Sequence, residues 1–328
     1  MRFVIAASVV TVAAGAAVHF SAHSGAMVPV QISNTTVWLS LSLSNSLSGI
    51  HPADKCPDNV TCVDTVRVTG REFDHPETSP NRFLQTGTLE YNVPVASVLW
   101  DKDLSVGMLQ DKGGAETLKR TMRLTDTAGY LALGRKSQLA QRGAFRLLRT
   151  VHENYLLLLP GRGQPSPAHH VVTTRIPGDV GWRFLASLHT ASGQDIGPET
   201  ILVILDLSKK ETRIPTRWVV DAGFSVVTGA DGRRWIGCDI LSGGEEREME
   251  LIVGRRRNIN LSVHRVDGET ACRTDWEASY GRTFKVGYNL FEYIDQISFD
   301  SKAGVIEFSN LFASEDTTNT LERSSACL

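Results

Sequence analysis

After residue 26 the sequence has no apolar run long enough to cross a membrane, a span needing about 20 residues, so the mature chain is expected to carry no membrane segment. Charge of one sign is also missing. A formal net charge of −2 leaves no electrostatic case for nucleic acid or for an anionic membrane as partner. Cysteine is scarce, with five in 328 residues, which excludes a disulfide-dense miniprotein. No Gly-x-Ser-x-Gly nucleophile turn occurs, and no Cys–His cluster has zinc spacing, so neither a serine hydrolase of that type nor a zinc site is expected. The adjacent pair His169-His170 would point to opposite faces of an extended strand and so makes a poor chelate; no metal or cofactor is expected.

Residues 1–26 read as a secretory signal. Arg2 supplies the positive end, Phe3 to Val18 is apolar, and Ser24-Gly25-Ala26 offers a small-x-small cleavage site. A secreted or secretory-lumen protein is therefore expected. In that setting the Asn-x-Ser/Thr triplets at Asn34, Asn59 and Asn260 become glycan acceptors.

The rest is a succession of short apolar stretches punctuated by Gly, Pro, Asn and Asp, the signature of an all-β fold. Tyr91-Asn-Val-Pro94 reads as a hairpin tip within the alternating stretch Leu89 to Leu109, and Phe73 to Pro80 reads as loop. Lys136 to Leu148 has apolar spacing suited to one helix. Cys56 and Cys62 have a spacing that suits a small disulfide-closed loop. The Gly/Pro-rich stretch Gly161 to His170 is the best linker.

The centre of the chain is Ile201-Leu-Val-Ile-Leu-Asp206-Leu-Ser, a carboxylate at the end of an apolar strand. Such a group is costly unless it is paired or hydrogen-bonded. A second stretch has nearly the same form, and the centres align as Leu39-Ser40-Leu41-Ser42 with Leu205-Asp206-Leu207-Ser208. Two copies of one strand–turn unit imply a duplicated lobe.

These features together resemble the pepsin family of aspartic peptidases, in which each lobe carries an apolar-apolar-Asp-Thr/Ser-Gly turn. Asp206 matches the second such Asp and Ser40 the first. Cys56 with Cys62 resembles the small loop disulfide of that family, and Cys238 with Cys272 its C-terminal-lobe disulfide. Tyr91 falls where the family has its flap tyrosine. Gly129-Tyr-Leu-Ala-Leu-Gly134 resembles the family's Gly-Ile-Leu-Gly-Leu-Gly strand, and Phe284-Lys-Val-Gly287 resembles part of the segment that closes its fold. The resemblance spans nearly the whole mature chain.

It implies a bilobal pepsin-like fold, two pseudo-twofold-related β-barrel-like lobes with a central cleft. The lobes would be 27–168 and 169–313, with a polar tail at 314–328. The departures are at the chemistry: Ser40 is not Asp, Leu41 and Leu207 replace the hydroxyl residues, and Ser42 and Ser208 replace glycine. Two carboxylates sharing a proton are what such a peptidase needs. The resemblance therefore implies a catalytically impaired, monomeric homologue that binds a peptide or protein in the cleft. Two other readings stand beside it: an aspartic endopeptidase using Asp206 and a bound water, and a structural secreted glycoprotein.

Overall fold

The structure is a computed structural model. It describes residues 16–21, 25–32, 35–46, 48–51, 56, 58–62, 72–74, 84–94, 103–111, 126–149, 156–162, 172–175, 181–190, 192–241, 247–253, 257–266 and 272–309. The described chain is mostly β-sheet with few helices. Among the described residues no helix is long and apolar enough to cross a membrane.

The first half contributes β1 (Ala16–Ser21), β2 (Gly25–Ile32), β3 (Thr35–Ser42), β4 (Ser48–Ile50), β5 (Glu72–Asp74), β6 (Leu84–Pro94), β7 (Asp103–Asp111), β8 (Gly129–Ala132), β9 (Phe145–Arg149) and β10 (Leu156–Pro160). The second contributes β11 (Val172–Arg175), β12 (Arg183–Thr190), β13 (Ile201–Leu205), β14 (Arg213–Pro215), β15 (Val226–Thr228) and β16 (Arg234–Gly237). It continues with β17 (Arg247–Val253), β18 (Arg257–Val263), β19 (Arg265–Val266), β20 (Arg273–Ser279), β21 (Phe284–Val286), β22 (Gln296–Asp300) and β23 (Val305–Ser309).

The pairing repeats. In the first half β3 is antiparallel to β2 and parallel to β8; β8 is antiparallel to β4, β4 parallel to β7, β7 antiparallel to β6, and β6 antiparallel to β5. In the second half β13 is antiparallel to β12 and parallel to β21; β21 is antiparallel to β14, β14 parallel to β20, β20 antiparallel to β16, and β16 antiparallel to β15. Order and sense agree at every step. Each half also sends three strands into one antiparallel ribbon, β11–β23–β22 from the second and β9–β10–β1 from the first.

Burial follows the period-two alternation of a strand with one face in the core. Val37, Leu39, Leu41 and Leu43 are buried while Trp38 is exposed; Ile201, Val203, Leu205 and Leu207 are buried in the same phase. The core is continuous through both halves. Trp182 lies where they meet. It is 1% exposed, its Nε1 donates to Leu133 O at 2.5 Å, and its ring contacts Phe145 and Phe299, which stack at 4.8 Å.

Several local expectations are corrected. The helix expected over Lys136 to Leu148 is one short helix, α1 (Gln138–Arg142), capped by Ser137 and ended at Gly143, and Phe145 onward is strand β9. Two neighbours offer β9 a full set of backbone partners, which outweighs helical spacing. A second helix, α2 (Thr216–Asp221), follows β14. Phe73 lies in β5 rather than in a loop, and Tyr91 to Pro94 end strand β6 rather than forming the hairpin tip.

Strand pairing runs across the expected boundary at residue 26. Val18 and Ala26 are fully buried, residues 16–18 pair with β10, and residues 19–21 pair with β2. Cleavage after Ala26 would discard β1 and cut β2 in two. A leader removed without opening this sheet ends before Ala16. A cut at residue 168 does not separate the sheets either, since β11, β22 and β23 pair within the sheet of the first half.

Candidate functional site

Asp206 directly follows β13, and its backbone N–H donates to Val286 O at 2.9 Å. Its Oδ1 accepts from the Ser208 N–H at 3.1 Å and from the Ser208 hydroxyl at 2.5 Å. Its Oδ2 accepts from Arg213 Nη2 and lies 3.6 Å from Lys285 Nζ. Arg213 and Lys285 face each other across β14 and β21, and Ile204 is opposite Lys285 on β13. Neighbours in register share a face of the sheet, so the two cations stand together beside the turn. The three charged side chains are partly exposed, at 20%, 18% and 38% for Asp206, Arg213 and Lys285.

Burial works to raise the Asp206 pKa. The Arg213 guanidinium, then the Lys285 ammonium and the two Ser208 hydrogen bonds, outweigh it and hold the carboxyl below the usual aspartate range. A group kept ionised in this way accepts hydrogen bonds and does not donate a proton.

The pairing register identifies the counterpart of Asp206 in the first half. One row across β13, β21 and β14 reads Ile204, Lys285, Arg213. The matching row across β3, β8 and β4 reads Ser40, Tyr130, Gly49. Asp206 stands two places beyond Ile204, so its counterpart is Ser42, two places beyond Ser40. Ser40 is a mid-strand residue, 6% exposed, between Met27 and Tyr130.

Contacts between the halves agree with this register. The Ala26 N–H donates to Leu207 O at 3.0 Å, and the Trp182 N–H donates to Leu43 O at 3.3 Å. Each acceptor is one residue past Asp206 or Ser42. Gly25 backs against Ser208 and Gly181 against Ser44, two residues past each. The Ser42 and Ser44 hydroxyls are 3.4 Å apart, the same i, i+2 relation as Asp206 and Ser208. By this register Leu43 and Leu207 are the matching apolar residues, each 3% exposed.

The expected pairing of Ser40 with Asp206 is thus displaced by two residues. The sequence Leu39-Ser-Leu-Ser-Leu-Ser44 repeats with period two, so a slip of two leaves the Leu/Ser pattern unchanged. The signal that separates the registers is the count from turn to following strand: Ser42 to Gly49 matches Asp206 to Arg213. Arg213 and Lys285 escaped the sequence reading because ion partners on neighbouring strands leave no periodic trace.

The Cys56–Cys62 and Cys238–Cys272 disulfides are both formed, with separations of 6 and 34 residues. Asn59 is exposed inside the smaller loop, at φ 65°. Asn260 lies on β18, paired with Glu250, at the edge of the ten-stranded sheet. Tyr91 lies in β6 where the pairing with β7 shifts register, between Leu89 and Val93. Asn34 and the tail 314–328 lie outside the described residues. No family model matches the chain, and no curated protein is detectably similar to it in sequence.

Proposed function

We propose that this chain is a secreted pepsin-like homologue that has lost peptide cleavage and works by holding a peptide or protein between its two halves. The observation that carries the reading is Asp206 itself, fixed as an anion by Arg213, Lys285 and Ser208 and matched in register by Ser42. Acid–base cleavage of this kind needs two carboxylates that share one proton. A serine hydroxyl supplies neither role, and losing one member of a coupled pair removes most of the rate. The duplicated pairing supports the fold half of the reading, and the two disulfides suit an oxidising compartment.

The test is an assay of the purified chain on unstructured peptides from pH 3 to pH 7, with a parallel binding titration by fluorescence anisotropy. Saturable binding without cleavage is expected. Ser42→Asp alone is expected to give no turnover, because Arg213 and Lys285 still hold Asp206 ionised. Cleavage by the wild type that disappears in Asp206→Asn would overturn the loss of activity, and absence of any peptide binding would overturn the binding role.

A further inference from the structure

A cavity of about 420 Å³ opens at the seam between the halves. Its volume falls in the range of small-ligand sites, roughly 300–1,000 Å³. Phe20 on β1 and Leu156 on β10 come from the first half, and Phe291 comes from the 3-10 turn Tyr288–Glu292 of the second. These form an apolar wall, and the Phe20 and Tyr288 rings stack across the seam at 4.2 Å.

The lining also holds charged groups, with two cations against one carboxylate. Arg149 Nη1 donates to Phe291 O and Glu292 O, both at 3.0 Å, which anchors the guanidinium at the wall. Lys210 Nζ lies 3.6 Å from Glu292 Oε1, past hydrogen-bond reach, and its side chain is 59% exposed. Glu292 is one carboxylate against two cations. The nearby Glu211 is already paired with Arg233 at 3.1 Å. Burial, with Glu211 and Glu292 adding to it, pushes the Tyr288 phenol above its ordinary pKa.

We propose that this seam binds an amphipathic carboxylate, with its head on Lys210, Arg149 and the Tyr288 hydroxyl and its apolar body against Phe20, Leu156 and Phe291. Such a ligand would touch both halves at once and fasten them together.

The experiment titrates the full chain with sodium decanoate by calorimetry at pH 7, with decylammonium, acetate and phosphatidylserine vesicles as parallel arms. Saturable one-to-one binding of decanoate is expected, with little binding of the other three. Lys210→Glu reverses the surplus charge at an exposed position and is expected to weaken decanoate at least tenfold. Tyr288→Phe keeps the stack and is expected to weaken it about threefold. Equal binding of decylammonium, vesicle binding in place of decanoate, or an unchanged decanoate affinity in Lys210→Glu would each overturn the proposal.

Discussion

Ser42 and Asp206 hold matching places in two sheets that pair strand for strand, and their surroundings differ in charge. Across the row beside Asp206 stand Lys285 and Arg213; across the row beside Ser42 stand Tyr130 and Gly49. The backbone is alike in both turns, down to the N–H from the opposite half that meets the carbonyl of the following leucine. The charge is not. A carboxylate at the end of a buried strand needs partners, whereas a hydroxyl needs only a neighbour such as Ser44. With a hydroxyl at the matching place, Asp206 is a lone carboxylate. In this chain Lys285 on β21 and Arg213 on β14 meet that need, and the turn becomes a structural ion cluster.

The largest effect expected from breaking the comparison lies at the seam. Trp182 and Ala26 donate equivalent backbone hydrogen bonds across it, but only Trp182 fills the space behind. Trp182→Ala leaves the backbone bond in place and empties a site lined by Phe145 and Phe299. Truncations of this kind cost about 3–5 kcal/mol. A urea midpoint analysis measures it, and a loss below about 1 kcal/mol would mean that the halves do not depend on this side chain.

Glycine sharpens the comparison at a smaller scale. Gly25 sits at φ 68°, and a Cβ there would come within 2.4 Å of Leu207 O. At Gly181 the nearest atoms, Arg183 Nε and Ser44 Cα, would each be 3.6 Å away, an ordinary contact. Gly25→Ala is expected to cost about 2 kcal/mol through backbone strain and the clash. Gly181→Ala is expected to be neutral or to stabilise by about 0.5 kcal/mol through the unfolded chain. Equal effects at both positions in the same denaturation assay would refute the asymmetry.

The strand content was legible because alternation such as Val37-Trp-Leu39 and Ile201-Leu-Val203 has only one comfortable structure with a single buried face. Asp206 stood out because an acid following five apolar residues demands an explanation. What the sequence could not decide were matters of register and partner. The Leu-Ser repeat admits Ser40 or Ser42 equally until β8 and β4 are seen to pair with it. The apolar start of the chain has the composition of a leader, and only the pairing of residues 16–21 with β10 and β2 marks where strand begins. Phe145-Arg-Leu-Leu-Arg149 can be one turn further of helix or a strand, and two distant neighbours decide it.

The effect most specific to the Asp206 cluster is smaller than that of Gly25→Ala. Asp206→Asn removes the anion from between Arg213 and Lys285 while keeping the shape of the turn. Breaking a fully buried pair costs about 3–5 kcal/mol, but these side chains are reached by solvent, and about 1–2 kcal/mol is expected at neutral pH. The dependence on pH separates an ion cluster from mere packing. In the folded chain Asp206 titrates below its ordinary value of 3.8, so on acidification the unfolded chain takes up this proton first. The contribution is therefore whole above that value and is lost as pH falls through 3.8 toward the lower folded value. Chemical denaturation of wild type and Asp206→Asn should give a constant difference between pH 7 and about pH 5, and curves that draw together below it. A difference that persists unchanged to the most acidic folded condition would show that Arg213 and Lys285 do not hold the carboxylate by charge, and that the turn is fixed by Ser208 alone.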